Sequence, residues 1–314
     1  MIRSVLNIIL TFSLANSIYA QELFPHVDPA SNIPKGVLGI RLANEGFNEV
    51  NEFRFSQSYR FMFGITSKLM ITPAFNFSNH HGRKFPSDFI ANDGNIGIHT
   101  HGVSKGNKYP YQLDNFNVNI RYRFLSLDKT KDHFRMTAYL EMAAGREAHD
   151  EAEPNLMGDN GGIGAGITAT KLKQRFAISA TVGGIVPQDY YYQRKDSSLT
   201  VKYGKAINYS LSMGLLCLPF KYKSYKQTNV NVYCEFIGKA YEKARVISNS
   251  REVLIADVPG LEGGMYVEFR PSIQFIFNSN LRIDLSYGRP LYKRSYTHFY
   301  PLYFFTIQRY FYFK

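Results

Sequence analysis

The stretch Pro301-Leu-Tyr-Phe-Phe-Thr-Ile-Gln-Arg-Tyr-Phe-Tyr-Phe-Lys314 decides the fold. Read with a period of two, one face carries Tyr303, Phe305, Ile307, Arg309, Phe311 and Phe313. The other carries Leu302, Phe304, Thr306, Gln308, Tyr310 and Tyr312. A terminal strand this aromatic cannot stay bare in water, because a flat apolar edge recruits other chains. Two environments can cover it: the core of a β-sandwich, or a closed barrel whose outer face meets lipid.

The opposite end of the chain separates these. Met1 to Ala20 holds a single charge, Arg3, then an apolar run from Val5 to about Ala15, then Ser17-Ile18-Tyr19-Ala20 before Gln21. A charged start, an apolar run too short to span a bilayer and a small residue at the end form a secretory signal, with cleavage expected after Ala20. The next segment, 21–34, has prolines at 25, 29 and 34 and reads as an extended periplasmic lead-in.

From residue 35 onward the alternation continues strand after strand. In 115–124, Phe116, Val118, Ile120, Tyr122 and Phe124 face one way, and Asn115, Asn117, Asn119, Arg121 and Arg123 the other. The same pattern runs through 38–42, 53–63, 69–78, 134–142, 163–167, 176–182, 207–217, 230–236, 265–275 and 281–285, and the terminal strand makes twelve. Connections alternate in length. They are short at 64–67, 125–132, 171–174, 219–228 and 278–280, and long at 79–112, 144–160, 186–203, 241–263 and 290–300. Short turns on one rim and long loops on the other suit a membrane barrel, whereas a sandwich has no reason to segregate them. The expected fold is therefore all-β: one transmembrane antiparallel up-and-down barrel of about twelve strands over 35–314, with short periplasmic turns and long extracellular loops. Pro73 and Pro271 interrupt strands and predict a bulge or local bend, and Gln57 and Arg309 are polar residues on the lipid-facing side.

Composition narrows the function. The chain has 23 Tyr and 25 Phe but no Trp, and a net charge of +12. Loss of Arg3 with the signal leaves 36 Lys+Arg against 25 Asp+Glu, or +11. Nucleic acid is excluded as a partner by export and by the lack of a dense Lys/Arg helix face. Outer-membrane lipid, including lipopolysaccharide with its phosphates, and an anionic solute in a channel both suit the charge better.

The signal, the even strand count and the aromatic last strand resemble the outer-membrane β-barrels of Gram-negative bacteria. Asp28-Pro-Ala-Ser-Asn-Ile-Pro-Lys35 with Gly39-Ile-Arg-Leu42, His133-Phe-Arg-Met136, and Glu151-Ala-Glu-Pro-Asn-Leu-Met-Gly-Asp159 are similar to barrels of Bacteroidota. Those barrels are distantly like channel-type proteins of aromatic-degradation pathways. The resemblance implies recognition by the barrel-assembly machinery and no catalytic residues. Lys314 departs from it, because the aromatic that usually ends such chains stands here at 313.

Inward parity assembles a charged lumen: Arg54, Arg60, Arg121, Arg123, Arg135, Arg270 and Arg282 with Glu141, Glu235, Glu268 and Asp284. Two readings follow. The charges pair into a network that plugs and stiffens the barrel, or they line a narrow water path with a basic bias toward anions. A narrow channel partly occluded by inward-folded loops is the preferred expectation, a structural or surface-binding barrel the alternative, and the sequence names no solute. A rim hydrolase built on His149 and Asp150 is the third possibility, although no G-x-S-x-G and no H-E-x-x-H occurs.

His80, His81, His99 and His101, with Asp88 and Asp93 between them, are the candidate metal ligands, and His149, Asp150, Glu151 and Glu153 sit in the next long loop. Imidazoles with carboxylates suit Zn²⁺, Cu²⁺ or Ni²⁺, but no fixed ligand spacing is met. No cofactor is called for: Gly161-Gly-Ile-Gly-Ala-Gly166 opens a strand and lacks the Gly-Lys-Ser/Thr of a phosphate loop. Tyr190, Tyr191 and Tyr192 suit either ring stacking or an aromatic girdle. Cys217 and Cys234 straddle the turn at 221–228 and are expected directly across one hairpin, facing lipid. An oxidising compartment permits a disulfide there. Directly paired strand residues have Cβ atoms ~4.5–5.5 Å apart against the ~3.5–4.5 Å a disulfide prefers, so the bond would be strained.

Overall fold

A computed structural model describes residues 24–49, 52–79, 110–145, 151–158, 160–194, 197–221, 224, 226–253, 259–295 and 301–313. The strands are β1 (Val37–Glu49), β2 (Glu52–Gly64), β3 (Leu69–Ser78), β4 (Gln112–Lys129), β5 (Asp132–Gly145), β6 (Gly162–Lys173), β7 (Phe176–Pro187) and β8 (Tyr190–Arg194). They continue with β9 (Ser197–Lys202), β10 (Ala206–Leu218), β11 (Asn229–Tyr241), β12 (Arg245–Ser248), β13 (Arg251–Val253), β14 (Gly264–Phe277), β15 (Leu281–Arg294) and β16 (Leu302–Tyr312).

Twelve of these close into an antiparallel barrel in the order β1-β16-β15-β14-β11-β10-β7-β6-β5-β4-β3-β2. The seam is the pairing of the first and last strands, from Val37↔Tyr312 to Gly46↔Tyr303. Closure removes the edge that so aromatic a terminal strand would otherwise expose. The faces of β16 separate as alternation dictates: Leu302, Phe304, Thr306 and Gln308 are buried inside, while Tyr303, Phe305, Ile307 and Phe311 are exposed outside. The rest of the wall repeats this, with Ile40, Phe75, Leu140, Val182, Leu211 and Leu285 among the outward apolar residues. In water such a surface would be costly; against lipid it is the expected band.

The interior is polar. Asn115, Asn117, Asn119, Thr137, Ser212, Gln274 and the buried charges fill it in place of a hydrophobic core. Apolar packing is concentrated at the long-loop rim, where Leu156, Ile185, Val201, Tyr203, Tyr241, Val246, Leu261 and Tyr266 form one cluster. It lies beneath a second sheet of order β13-β12-β9-β8, made by two connections for which alternation alone predicts only loops. Residues 151–158 are tied to this cap by the Ala152 N–H donating to the Gly260 carbonyl at 2.7 Å.

Neither proline shifts the register of its strand. Pro73 still pairs with Val118 and Pro271 with Cys234, and the ladder is interrupted on the opposite side instead. A missing N–H costs a rung there, not an extra residue. The irregularities fall elsewhere, at Asn76/Phe77, Arg123/Leu125, Leu216/Leu218 and Val267/Glu268. Gln57 stays outward and is satisfied there, donating to Asn44 Oδ1 at 2.6 Å and accepting from the Tyr111 hydroxyl at 2.5 Å. Arg309 is also outward, over the Phe311 ring at 5.4 Å.

Candidate functional site in the barrel lumen

Residues 24–34 correct the sequence reading. They do not form a periplasmic lead-in but lie inside the barrel, with Phe24, Ala30 and Ile33 fully buried. A proline-interrupted segment has no ladder of its own, so the barrel wall must satisfy its backbone. Arginines do this from several strands. Arg282 donates to the Phe24 carbonyl at 2.8 Å, Arg41 to the Pro25 carbonyl, and Arg121 to the carbonyls of Asp28 and Pro29 at 3.2 and 2.8 Å. The N–H groups of His26 and Val27 donate to the two carboxylate oxygens of Glu235, which also accepts from Ser212. Thr170 and Thr137 hold both backbone groups of Ala30, and Arg135 donates to the Ser31 hydroxyl at 2.9 Å.

Asp28 is the electrostatic centre. Its Oδ2 lies 2.7 Å from Arg60 Nη2 and 3.6 Å from Arg121 Nη1. Burial pushes the carboxyl up, but the guanidinium groups of Arg60 and Arg121 outweigh it and hold the acid below the usual carboxylate range. His26 is driven the other way: burial, then Arg270, Arg41 and Arg282, push the imidazole well below its ordinary value. It is therefore neutral. Arg270 donates toward Nδ1 at 3.4 Å, which leaves the proton on Nε2, 2.8 Å from the Ser286 hydroxyl. Phe304 completes this nest, its ring 4.4 Å from His26 and 4.5 Å from the Arg270 guanidinium.

The remaining lumen charges of the sequence reading are distributed as follows. Arg270 pairs with Glu268 at 2.6 Å and Arg282 with Asp284 at 3.0 Å, each two residues apart on one strand. Glu141 is buried beside Asn117. Arg54 is buried at the long-loop end of β2, donating to the Asn79 carbonyl. Arg123 and Arg135 stand at the short-turn rim, where Arg123 donates to the Ser67 carbonyl and Arg135 pairs with Asp128 at 3.0 Å. Above residues 24–34 a cavity of about 390 Å³ remains, bordered by Arg41, Arg60, Arg121, Arg270 and Lys239 and by Asp28, Glu45, Asp114, Glu141 and Glu153. Cationic and acidic groups balance in number. The arginines gather around residues 25–28, and Glu45, Asp114 and Glu153 lie toward the long loops.

Sequence reasoning gave no lumen role to His26, Asp28, Arg41, Glu153 and Lys239. The Lys239 ammonium donates to Glu153 at 2.7 Å, and the Tyr266 hydroxyl donates to the same oxygen. One signal for the two acids was present: the inward set held more arginines than acids, and buried cations demand counter-charges from outside the strands. Gly166 and Gly183 serve packing, since a Cβ at either would collide with the Tyr139 hydroxyl. Tyr190 belongs to the cap sheet, where its hydroxyl accepts the Gly161 N–H at 2.9 Å, and Tyr191 is exposed.

The cysteine expectation is overturned. Cys234 pairs with Met213, not Cys217, and both thiols are free. The hairpin is centred two residues earlier than the midpoint of the cysteines, which offsets them by four positions, about 13 Å along a strand. Arg175 explains the irregularity that absorbs Cys217. Its guanidinium collects the carbonyls of Leu216, Cys217, Pro219 and Phe220 at 2.9–3.0 Å, holding the end of β10 out of regular register. His80, His81, His99, His101, His149 and the signal segment lie outside the described residues. Among the described residues no cluster could hold a metal ion.

No protein-family model matches the sequence, and no curated protein matches it. Solved structures do. The COG4313 outer membrane channel from Pseudomonas putida F1 is similar over 91% of this chain and 100% of its own, with a TM-score of 0.50 and 12% identity. The beta domain of the Bordetella autotransporter BrkA covers 88% of this chain and 99% of its own at a TM-score of 0.40 and 8% identity. The Pseudomonas putida toluene transporter TodX covers 87% of each at 0.30 and 9%. At these identities the likeness speaks to architecture, and it agrees with the closed, outwardly apolar barrel: the chain has the fold of the bacterial outer-membrane β-barrels.

Proposed function

We propose that this chain is a narrow outer-membrane channel for small solutes, exported after cleavage near Ala20, whose constriction is formed by residues 24–34. The observation that carries the reading is the cavity of about 390 Å³ directly above that segment, faced by Arg41, Arg60, Arg121 and Arg270. A solute entering from the long-loop side meets Glu45, Asp114 and Glu153 first and the arginines last. Guanidinium groups in a low-dielectric constriction recognise carboxylate or phosphate groups best, so anionic solutes are the class that gains most at this point. The likeness to a solved outer membrane channel is consistent with this and names no solute.

A non-conducting barrel is the second reading, favoured by how completely Asp28, Glu235 and the arginines tie the N-terminal segment down. Planar-bilayer recording of the mature chain, beside a variant lacking residues 24–34, tests both. Small anion-selective steps in the mature chain and larger ones in the deletion are expected; silence from both would replace the channel with the structural reading. Turnover of lipid or peptide lost in His149→Ala would replace both with an enzyme.

A further inference from the structure

The outer face at the long-loop rim is aromatic over much of the barrel. Tyr59 packs edge-on against Phe77, Tyr111 stacks on Phe55 and Phe77, and Tyr287 meets Tyr303. Across β6 and β7 this girdle is broken, and on β10 and β11 it is reduced to the Tyr209 ring, which lies over Gly238. One row of cross-strand partners runs Ala165↔Gly184↔Ile207↔Ala240↔Met265↔Arg294, so three small residues share it with Ile207 and Met265 and it ends on a cation. The result is an outward groove of about 730 Å³, floored by Ala165, Gly184 and Ala240 and walled by Ile163, Val186 and Ile207. A Cβ built on Gly184 would meet only the Ala206 carbonyl, at 3.8 Å, so the groove is open above it.

A concave patch in the lipid-facing band must be filled by something flexible enough to follow it, because an unfilled gap forfeits dispersion contacts on one side. Charge at its upper end selects the occupant. Lys205 lines the groove, and Lys243 and Arg294 stand exposed beside it. Of the acids, Glu242 also lines the groove and is exposed, its carboxylate accepting the Lys205 backbone N–H at 3.2 Å, and Glu262 is exposed nearby, so three cations face two acids at this end. A second copy of the chain fits poorly, since a two-fold contact here would bring this basic rim toward itself.

We propose that the groove formed by Ala165, Gly184, Ala240 and Ile207 seats an acyl chain of a phosphorylated glycolipid of the outer leaflet, with its phosphate beside Lys205, Lys243 and Arg294. This requires that the barrel spans the membrane with its long loops outward, and is independent of whether the lumen conducts. The lipid sits as a fixed part of the wall, replacing the missing stretch of aromatic girdle.

Native mass spectrometry of the mature chain refolded in dodecyl maltoside tests this, with synthetic bisphosphorylated hexa-acyl lipid A or dioleoyl phosphatidylcholine added. One lipid A retained per barrel is expected. Gly184→Leu, which fills the groove without a backbone clash, should abolish the adduct. Lys205→Glu with Lys243→Glu should weaken it roughly tenfold or more. Both variants are checked for the slower or faster gel migration of the unboiled barrel before comparison, so that loss of binding is not loss of fold. Equal retention of phosphatidylcholine, an adduct that survives Gly184→Leu, or a barrel dimer dissociated by Gly184→Leu would each overturn the proposal.

Discussion

Asp28 and Arg60 meet at 2.7 Å in the middle of the barrel, and this contact between an irregular segment and a strand organises the lumen. Arg121 approaches the same carboxylate oxygen from β4, on the other side of β3, so one acid joins two strands that do not pair with each other. Removing it leaves two buried guanidinium groups facing each other.

Asp28→Asn keeps the shape and removes the charge. Breaking a buried pair by deleting one partner costs about 3–5 kcal/mol. Amide hydrogen exchange across residues 24–34 should therefore accelerate by about a hundredfold or more, while exchange in the strands of the wall stays unchanged. Uniform acceleration would show that the pair supports the barrel and not the docking of this segment.

Acid should loosen the segment through His26. Its imidazole is held neutral in the folded chain, pushed well below its ordinary value by burial and by Arg270, Arg41 and Arg282. The undocked segment would take up a proton near pH ~6.5, so it binds more protons than the docked one below that pH. Docking stability is then complete above about pH 7 and falls as pH drops, by at most ~1.4 kcal/mol per unit. Asp28, held below its ordinary value, adds a loss of the same sign only below about pH 4. Glu235, Glu268 and Asp284 also face this nest, so the measurement is the difference between the native chain and His26→Gln in hydrogen exchange over about pH 5–8. A slope that persists in His26→Gln would assign it to those carboxylates.

Arg121 and Arg123 are neighbours of equal parity with unequal positions. Arg121 is buried against the N-terminal segment and borders the cavity, whereas Arg123 reaches the Ser67 carbonyl at the short-turn rim. Arg121→Glu should shift the reversal potential toward cations in a salt gradient, and Arg123→Glu should leave it nearly where it was. Equal shifts would place the selective point at the rim.

The β10–β11 register is directly testable. Native Cys217 and Cys234 should both label with iodoacetamide in the denatured, unreduced protein. Met213→Cys should cross-link to Cys234 under mild oxidant, because these positions are direct partners. A bond between Cys217 and Cys234 in the native protein would show the hairpin slipped by four positions.

Local patterning determined the wall of this protein. Side chains of a strand alternate between faces, so Phe116 and Arg121 had to point opposite ways once 115–124 was extended, and the long and short connections then ordered the rims. Closure was legible too, because the segregated loop lengths spoke against a sandwich and left β16 to pair on both sides in a barrel. What alternation cannot specify is how a segment without period lies. The prolines of 24–34 fit a solvated tail as well as a buried one, and only the convergence of Arg41, Arg60, Arg121 and Arg282 on its carbonyls and its acid makes burial the lower state. The same limit applies to the cap sheet, whose strands pair across two separate connections. It applies to Cys217 as well: the hairpin is centred two residues before the midpoint of the cysteines, and Arg175 in the turn between β6 and β7 holds Cys217 in a one-residue irregularity at the end of β10. Period-two order is written residue by residue; contacts between distant segments are decided only when the barrel brings their donors and acceptors together.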